Sequence, residues 1–84
     1  MHDIDKLESI IQNIKNEKVK ITLTSKFKEG LGFTSLNILQ LIDNVQKNFE
    51  IKFKIEDYVD TNFVNVETLL KLIKKRLEIE ILGQ

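Results

Sequence analysis

GLGFTSLN, residues 30–37, sets two glycines within three positions, follows them with a Thr-Ser pair and opens onto an apolar pattern of helical period. Glycine lets a backbone turn tightly, with φ > 0 open to it. Either hydroxyl, Thr34 or Ser35, suits the N-cap of the helix that follows. On these residues alone a turn and a cap are the better reading. One physical fact favours a chemical handle as well. A helix N-terminus offers free N–H groups and positive potential, so a phosphodiester attached at Ser35 would be well accommodated. A phosphate-cradling loop fits poorly, because neither Gly-x-x-x-x-Gly-Lys nor the third glycine of Gly-x-Gly-x-x-Gly is present.

The helix that opens at the serine carries two apolar faces. At about 100° per residue, Ile38, Leu41, Ile42, Val45 and Phe49 cluster on one core stripe. Leu36 and Leu39 fall off it, on the side of Ser35, Asp43, Gln46 and Lys47. A single exposed leucine is ordinary. Two beside a serine at a glycine-rich helix entrance read as a docking patch, formed by Thr34, Leu36, Leu39, Asp43 and Lys47.

Outward from this helix (36–50), segments 4–16 and 66–78 repeat the helical period. The first places Ile4, Leu7, Ile10, Ile11 and Ile14 on one stripe, with Asp3 as N-cap and Asp5 and Glu8 at the positive end of the helix dipole. The last aligns Val66, Leu69, Leu70, Ile73 and Leu77, with Asn65 as cap, Glu67 in the first turn and Lys74, Lys75 and Arg76 towards the C-terminal end. Ile81 either extends that stripe or belongs to a fraying tail. The connection NEKVKITLTSKFKEGLGFT includes VKITLT, which alternates like a strand. A lone strand has nothing to pair with, so an extended loop is expected, pinned to the core by Phe27 and Leu31. So long a connection in so small a domain points to function. In IKFKIEDYVDTNFVN one short helical turn is expected over 56–60, with Ile51, Phe53, Ile55 and Phe63 packing inward. The expected fold is all-α: one domain spanning 1–84, a small four-helix bundle with a long first loop and a short third helix.

Composition narrows the function. With 84 residues and 42% apolar content the chain can bury one modest core. Lys+Arg and Asp+Glu both number 13, which gives no electrostatic reason to expect nucleic acid or an anionic membrane. There is no cysteine, hence no disulfide framework, thiolate metal site or thiol nucleophile. The start MHDIDKLES lacks a secretory pattern, and no apolar stretch approaches the roughly 20 residues of a membrane span. A monomeric cytoplasmic protein without a metal is expected. The only histidine is His2, at a terminus expected to fray, so no Ser-His-carboxylate catalysis is expected. Any chemistry at Ser35 must be done by a partner that supplies the base. A small helical adaptor, or a weak nucleic-acid binder using Lys71, Lys74, Lys75 and Arg76, is the alternative. Such a charge run usually marks a solvated helix end.

The stretch FKEGLGFTSL, residues 27–36, resembles the attachment loop of the acyl and peptidyl carrier proteins, F-x-E-x-L-G-x-D-S-L, which leads into the second of four helices. FEIKFKIED, residues 49–57, is similar to that family's exit into a short third helix, with Lys54 where proline is frequent. NVETLLKLI, residues 65–73, is similar to the start of the fourth. The resemblance covers most of the chain. It implies that Ser35 carries 4′-phosphopantetheine, transferred from coenzyme A by a phosphopantetheinyl transferase that brings its own Mg²⁺ and base. The arm would hold acyl or aminoacyl thioesters. A loading enzyme and downstream synthases or transferases would be the partners, docking on the Leu36/Leu39 patch. The carrier itself would not be an enzyme. Two departures stand out: Thr34 replaces the usual acid, and Asp43 is the only acid of the second helix before Glu50. Fatty-acid carriers have a strongly acidic second helix, so a specialised peptide- or polyketide-type pathway is expected. A fatty-acid or D-alanine-type carrier is the alternative, together with a carrier relative that has lost modification.

Overall fold

The computed structural model describes residues 3–82, and side chains up to residue 79. His2 and the side chain of Ile81 lie outside the described residues. Three α-helices form the frame: α1 (Asp3–Lys15), α2 (Ser35–Phe49) and α3 (Val66–Leu82). Their apolar stripes meet in one core. Leu7 and Ile11 of α1, Leu41 and Val45 of α2, and Val66, Leu69 and Ile73 of α3 are fully buried. Ile38 and Leu77 pack partly buried against them, and Leu72, outside the expected stripe, is buried as well. At about 2 kcal/mol per buried aliphatic side chain, this shared stripe is the main stabilising term.

The fold is all-helical as expected, with three α-helices among the described residues. The segment after α2 forms two 3₁₀ turns, Ile55–Asp57 and Asp60–Phe63, in place of one helical turn over 56–60. Neither has a second turn on which α-helical i→i−4 bonds could build, and Tyr58 and Val59 interrupt them. Of the four side chains expected to pack inward, Ile51 and Phe53 are buried and Phe63 is partly so, but Ile55 is 88% exposed. The helix bounds shift slightly. Asp3 lies in the first turn of α1 and not before it. α2 begins at Ser35 and ends on Glu50, which takes the left-handed conformation with φ 54° and donates its N–H to the Gln46 carbonyl.

The loop between α1 and α2 is extended as expected, with no strand among the described residues and one isolated bridge, Lys26 with Asn65. Its polar backbone is met from two sides. On the α3 side, the amides of Val66 and Glu67, first-turn donors without helical partners, reach the carbonyls of Ser25 and Leu23 at 3.0 Å each. On the α1 side, a row at helical spacing stitches the loop down. The Ile21 amide donates to the Glu8 carboxylate (3.0 Å), Gln12 Nε2 donates to the Val19 carbonyl (2.9 Å) and Lys15 Nζ donates to the Gly32 carbonyl (3.1 Å). Phe27 is fully buried, and Leu31 is partly so.

Candidate functional site

The end of this loop aims Ser35. The amides of Gly30 and Leu31 both donate to the Lys26 carbonyl, at 3.0 and 2.8 Å. The chain is so close to itself there that a Cβ on Gly30 would stand 2.9 Å from the Lys26 carbonyl oxygen. Gly32 has φ +69°, a region most side chains avoid. Phe33 then turns inward. Its amide reaches the Phe27 carbonyl at 2.8 Å, and its ring stacks on Phe27 with centroids 5.5 Å apart.

Thr34 is the cap. Its Oγ1 accepts from the Asn37 amide (3.1 Å), and Asn37 Oδ1 accepts from the Thr34 amide (3.0 Å), a reciprocal capping box. Asn37 thus takes the role that Glu or Gln takes in the usual box, a function the sequence reading did not assign to it. Because Thr34 and Asn37 complete the cap, the Ser35 hydroxyl is left over. Ser35 is exposed and makes no side-chain hydrogen bond among the described residues. It stands at the first position of α2, where amides lack helical acceptors and the potential is positive.

The expected docking residues surround it. Leu36 and Leu39 are each 63% exposed, off the buried face as the helical wheel required. Asp43 and Lys47 are exposed and pair with each other at 3.0 Å, one helical turn apart, so α2 shows no uncompensated acid here. One turn beyond Ser35, Ile38 lies in an open groove of about 230 Å³ that also takes in Phe63, Val64 and the charged ends of Lys26, Lys28, Glu29 and Asp60. Among the described residues no cluster of His, Cys, Asp or Glu could hold a metal ion.

The sequence reading misplaced one charge. Arg76, counted with Lys71, Lys74 and Lys75 as a solvated cation run, is only 5% exposed. Its Nε and Nη2 each donate to a carboxylate oxygen of Asp57 at 2.7 Å. Asp57 also accepts from the Lys54 amide at 2.8 Å, and it is 2% exposed. The Arg76 guanidinium, with the Lys54 amide, holds the Asp57 carboxyl below its ordinary range. Asp57 in turn holds Arg76 above its own ordinary value. The signal was present: Arg76 is the only arginine in a lysine-rich chain, and bidentate pairing needs the planar fork that lysine lacks.

A 4′-phosphopantetheine arm fits these residues. Its phosphodiester would need an accessible hydroxyl and an anion-tolerant helix end. Ser35 would supply the first and the α2 terminus the second.

The sequence model of a family described as a phosphopantetheine attachment site matches residues 5–73. A protein of Phytoplasma australiense named acyl carrier protein is 32% identical over 75 residues, covering 88% of this chain and 96% of that one. One of the same name from Exiguobacterium sibiricum is 31% identical over 74 residues, covering 88% and 91%. Another, from onion yellows phytoplasma, is 42% identical over 55 residues, covering 66% and 70%.

Proposed function

The chain belongs to the acyl carrier protein family, whose members are carriers and not enzymes and whose prosthetic group is a covalently attached 4′-phosphopantetheine; on that premise we propose that Ser35 is the attachment residue. In loading, the Ser35 oxygen would attack the pantetheine-bearing phosphorus of the coenzyme A pyrophosphate. Its proton passes to a base of the transferase, and the nucleotide portion of coenzyme A departs. The arm supplies a terminal thiol on which acyl or aminoacyl groups ride as thioesters. This chain's residues do the rest: Thr34 and Asn37 hold the helix end, and Ser35 faces outward where a transferase can reach it. The observation that carries the reading is the exposed Ser35 hydroxyl that the Thr34–Asn37 box leaves free. Incubation with coenzyme A and a broad-specificity phosphopantetheinyl transferase should add one arm to the intact mass, and Ser35→Ala should abolish the addition. A wild-type chain left unmodified by several transferases overturns the assignment.

We also propose that Thr34, Leu36, Leu39, Asp43 and Lys47 form the docking face, and that the partners belong to a specialised peptide- or polyketide-type pathway in the cytoplasm, served by a monomeric carrier. The support for the pathway is electrostatic. A partner with a basic patch gains little from a helix whose one acid is paired at 3.0 Å. Acylation by an enzyme of fatty-acid synthesis should therefore be slow and nearly insensitive to salt. Fast, strongly salt-dependent acylation places the carrier in fatty-acid synthesis.

A further inference from the structure

Of the three α1 side chains that stitch the long loop, only Lys15 reaches the glycine turn just ahead of the serine. Glu8 and Gln12 hold the loop's first half, at Ile21 and Val19. Lys15 spans 17 residues of sequence to donate to the Gly32 carbonyl at 3.1 Å, and its ammonium lies 5.9 Å from the centre of the Phe33 ring. It therefore grips both residues between the Lys26 turn and the Thr34 cap: the one with positive φ and the one whose ring anchors the turn. Gly32 is the most permissive backbone position there, so it is where the loop would hinge if its carbonyl were released. A cation on a carbonyl is the stronger kind of hydrogen bond, and the ring face beneath it adds a second attraction.

We propose that Lys15 is a positioning residue for the modification of Ser35: it clamps the Gly32–Phe33 turn and so fixes where the N-terminus of α2 presents the serine. This rests on the assignment of Ser35 above, but the clamp can be tested without it. Lys15 lies off the α1 core stripe of Leu7, Ile10 and Ile11, so its replacement leaves the fold standing.

Lys15→Met and Lys15→Arg are compared with wild type in two ways. Amide hydrogen exchange on the apo protein reads the clamp directly. In Lys15→Met the Phe33 amide, which donates to the Phe27 carbonyl, should exchange about fivefold faster. Transferase kinetics with coenzyme A read the consequence. In Lys15→Met, kcat/KM for the carrier should fall about fivefold at a temperature where both proteins are fully folded. Lys15→Arg, which keeps the charged donor and the ring contact, should stay within about twofold of wild type in both. Wild-type exchange at Phe33 in Lys15→Met overturns the clamp, as does a kinetic loss that Lys15→Arg does not restore. If wild type accepts no arm at all, the Ser35 assignment fails, and the exchange measurement still decides the clamp.

Discussion

Two irregular connections flank α2, and they are held by opposite means. The first, residues 16–34, is laced by many separate contacts: side chains of α1, first-turn amides of α3, and the buried, tilted Phe27–Phe33 pair. The second, residues 50–65, packs Ile51 and Phe53 into the core and centres its polar contacts on the buried Asp57–Arg76 pair. Distributed bonds fail gradually, so losing any one of them leaves the rest of the first connection in place. A buried ion pair fails all at once, because removing one partner strands the other's charge in the interior. The 3₁₀ turns are too short to stand alone, and the pair supplies the anchor that a full third helix would have found along its own length.

The largest effect should come from breaking that pair. Asp57→Ala should lower the melting midpoint by roughly 15 °C or more. The double variant Asp57→Leu/Arg76→Met, which leaves no stranded charge, should recover most of the loss in calorimetry. If the two losses simply add, the pair is not the anchor. The same pair carries a pH signature. Asp57's carboxyl is depressed in the folded protein, so its contribution is fully present above the ordinary carboxylate pKa of 3.8 and is lost as pH falls through that value towards the lower folded one. Acid melting curves should therefore be flatter below about pH 4 for the double variant than for wild type. Parallel curves would assign acid sensitivity to other groups.

The first connection should respond in smaller steps. Gly30→Ala sets a methyl 2.9 Å from a backbone oxygen and should cost about 1–3 kcal/mol in denaturant unfolding. No loss would mean that the turn shifts freely. Thr34→Ala should cost about 1 kcal/mol as a lost cap, and Thr34→Asp, which can cap equally well, should restore it. Transferase selectivity between Thr34 and Thr34→Asp then isolates the side chain's effect on partner choice from its effect on stability.

What the sequence revealed follows from periodicity. Residues of α1, α2 and α3 repeat over three or more turns, so their buried stripes and the exposure of Leu36 and Leu39 were legible. The Asn65 cap was legible too, since Asn65 Oδ1 accepts from the Thr68 amide at 2.9 Å. A 3₁₀ turn of three or four residues has no period to read, which is why Ile55 was turned the wrong way. The stitches from Glu8, Gln12 and Lys15 end on backbone atoms, which carry no residue identity, so no sequence pattern announces them. Arg76 and Asp57 lie 19 positions apart, and only the fold brings them together. The serine itself was legible as a helix start. That it is spare, because Thr34 and Asn37 close the cap between them, needed coordinates.

The central claim is that this spare hydroxyl carries the arm. Peptide mapping by mass spectrometry of the protein purified from its native host tests it most directly. The account predicts a phosphopantetheine, free or acylated, on the peptide containing GLGFTSLN and located at Ser35. A wholly unmodified peptide, or an arm on Thr34, would contradict it.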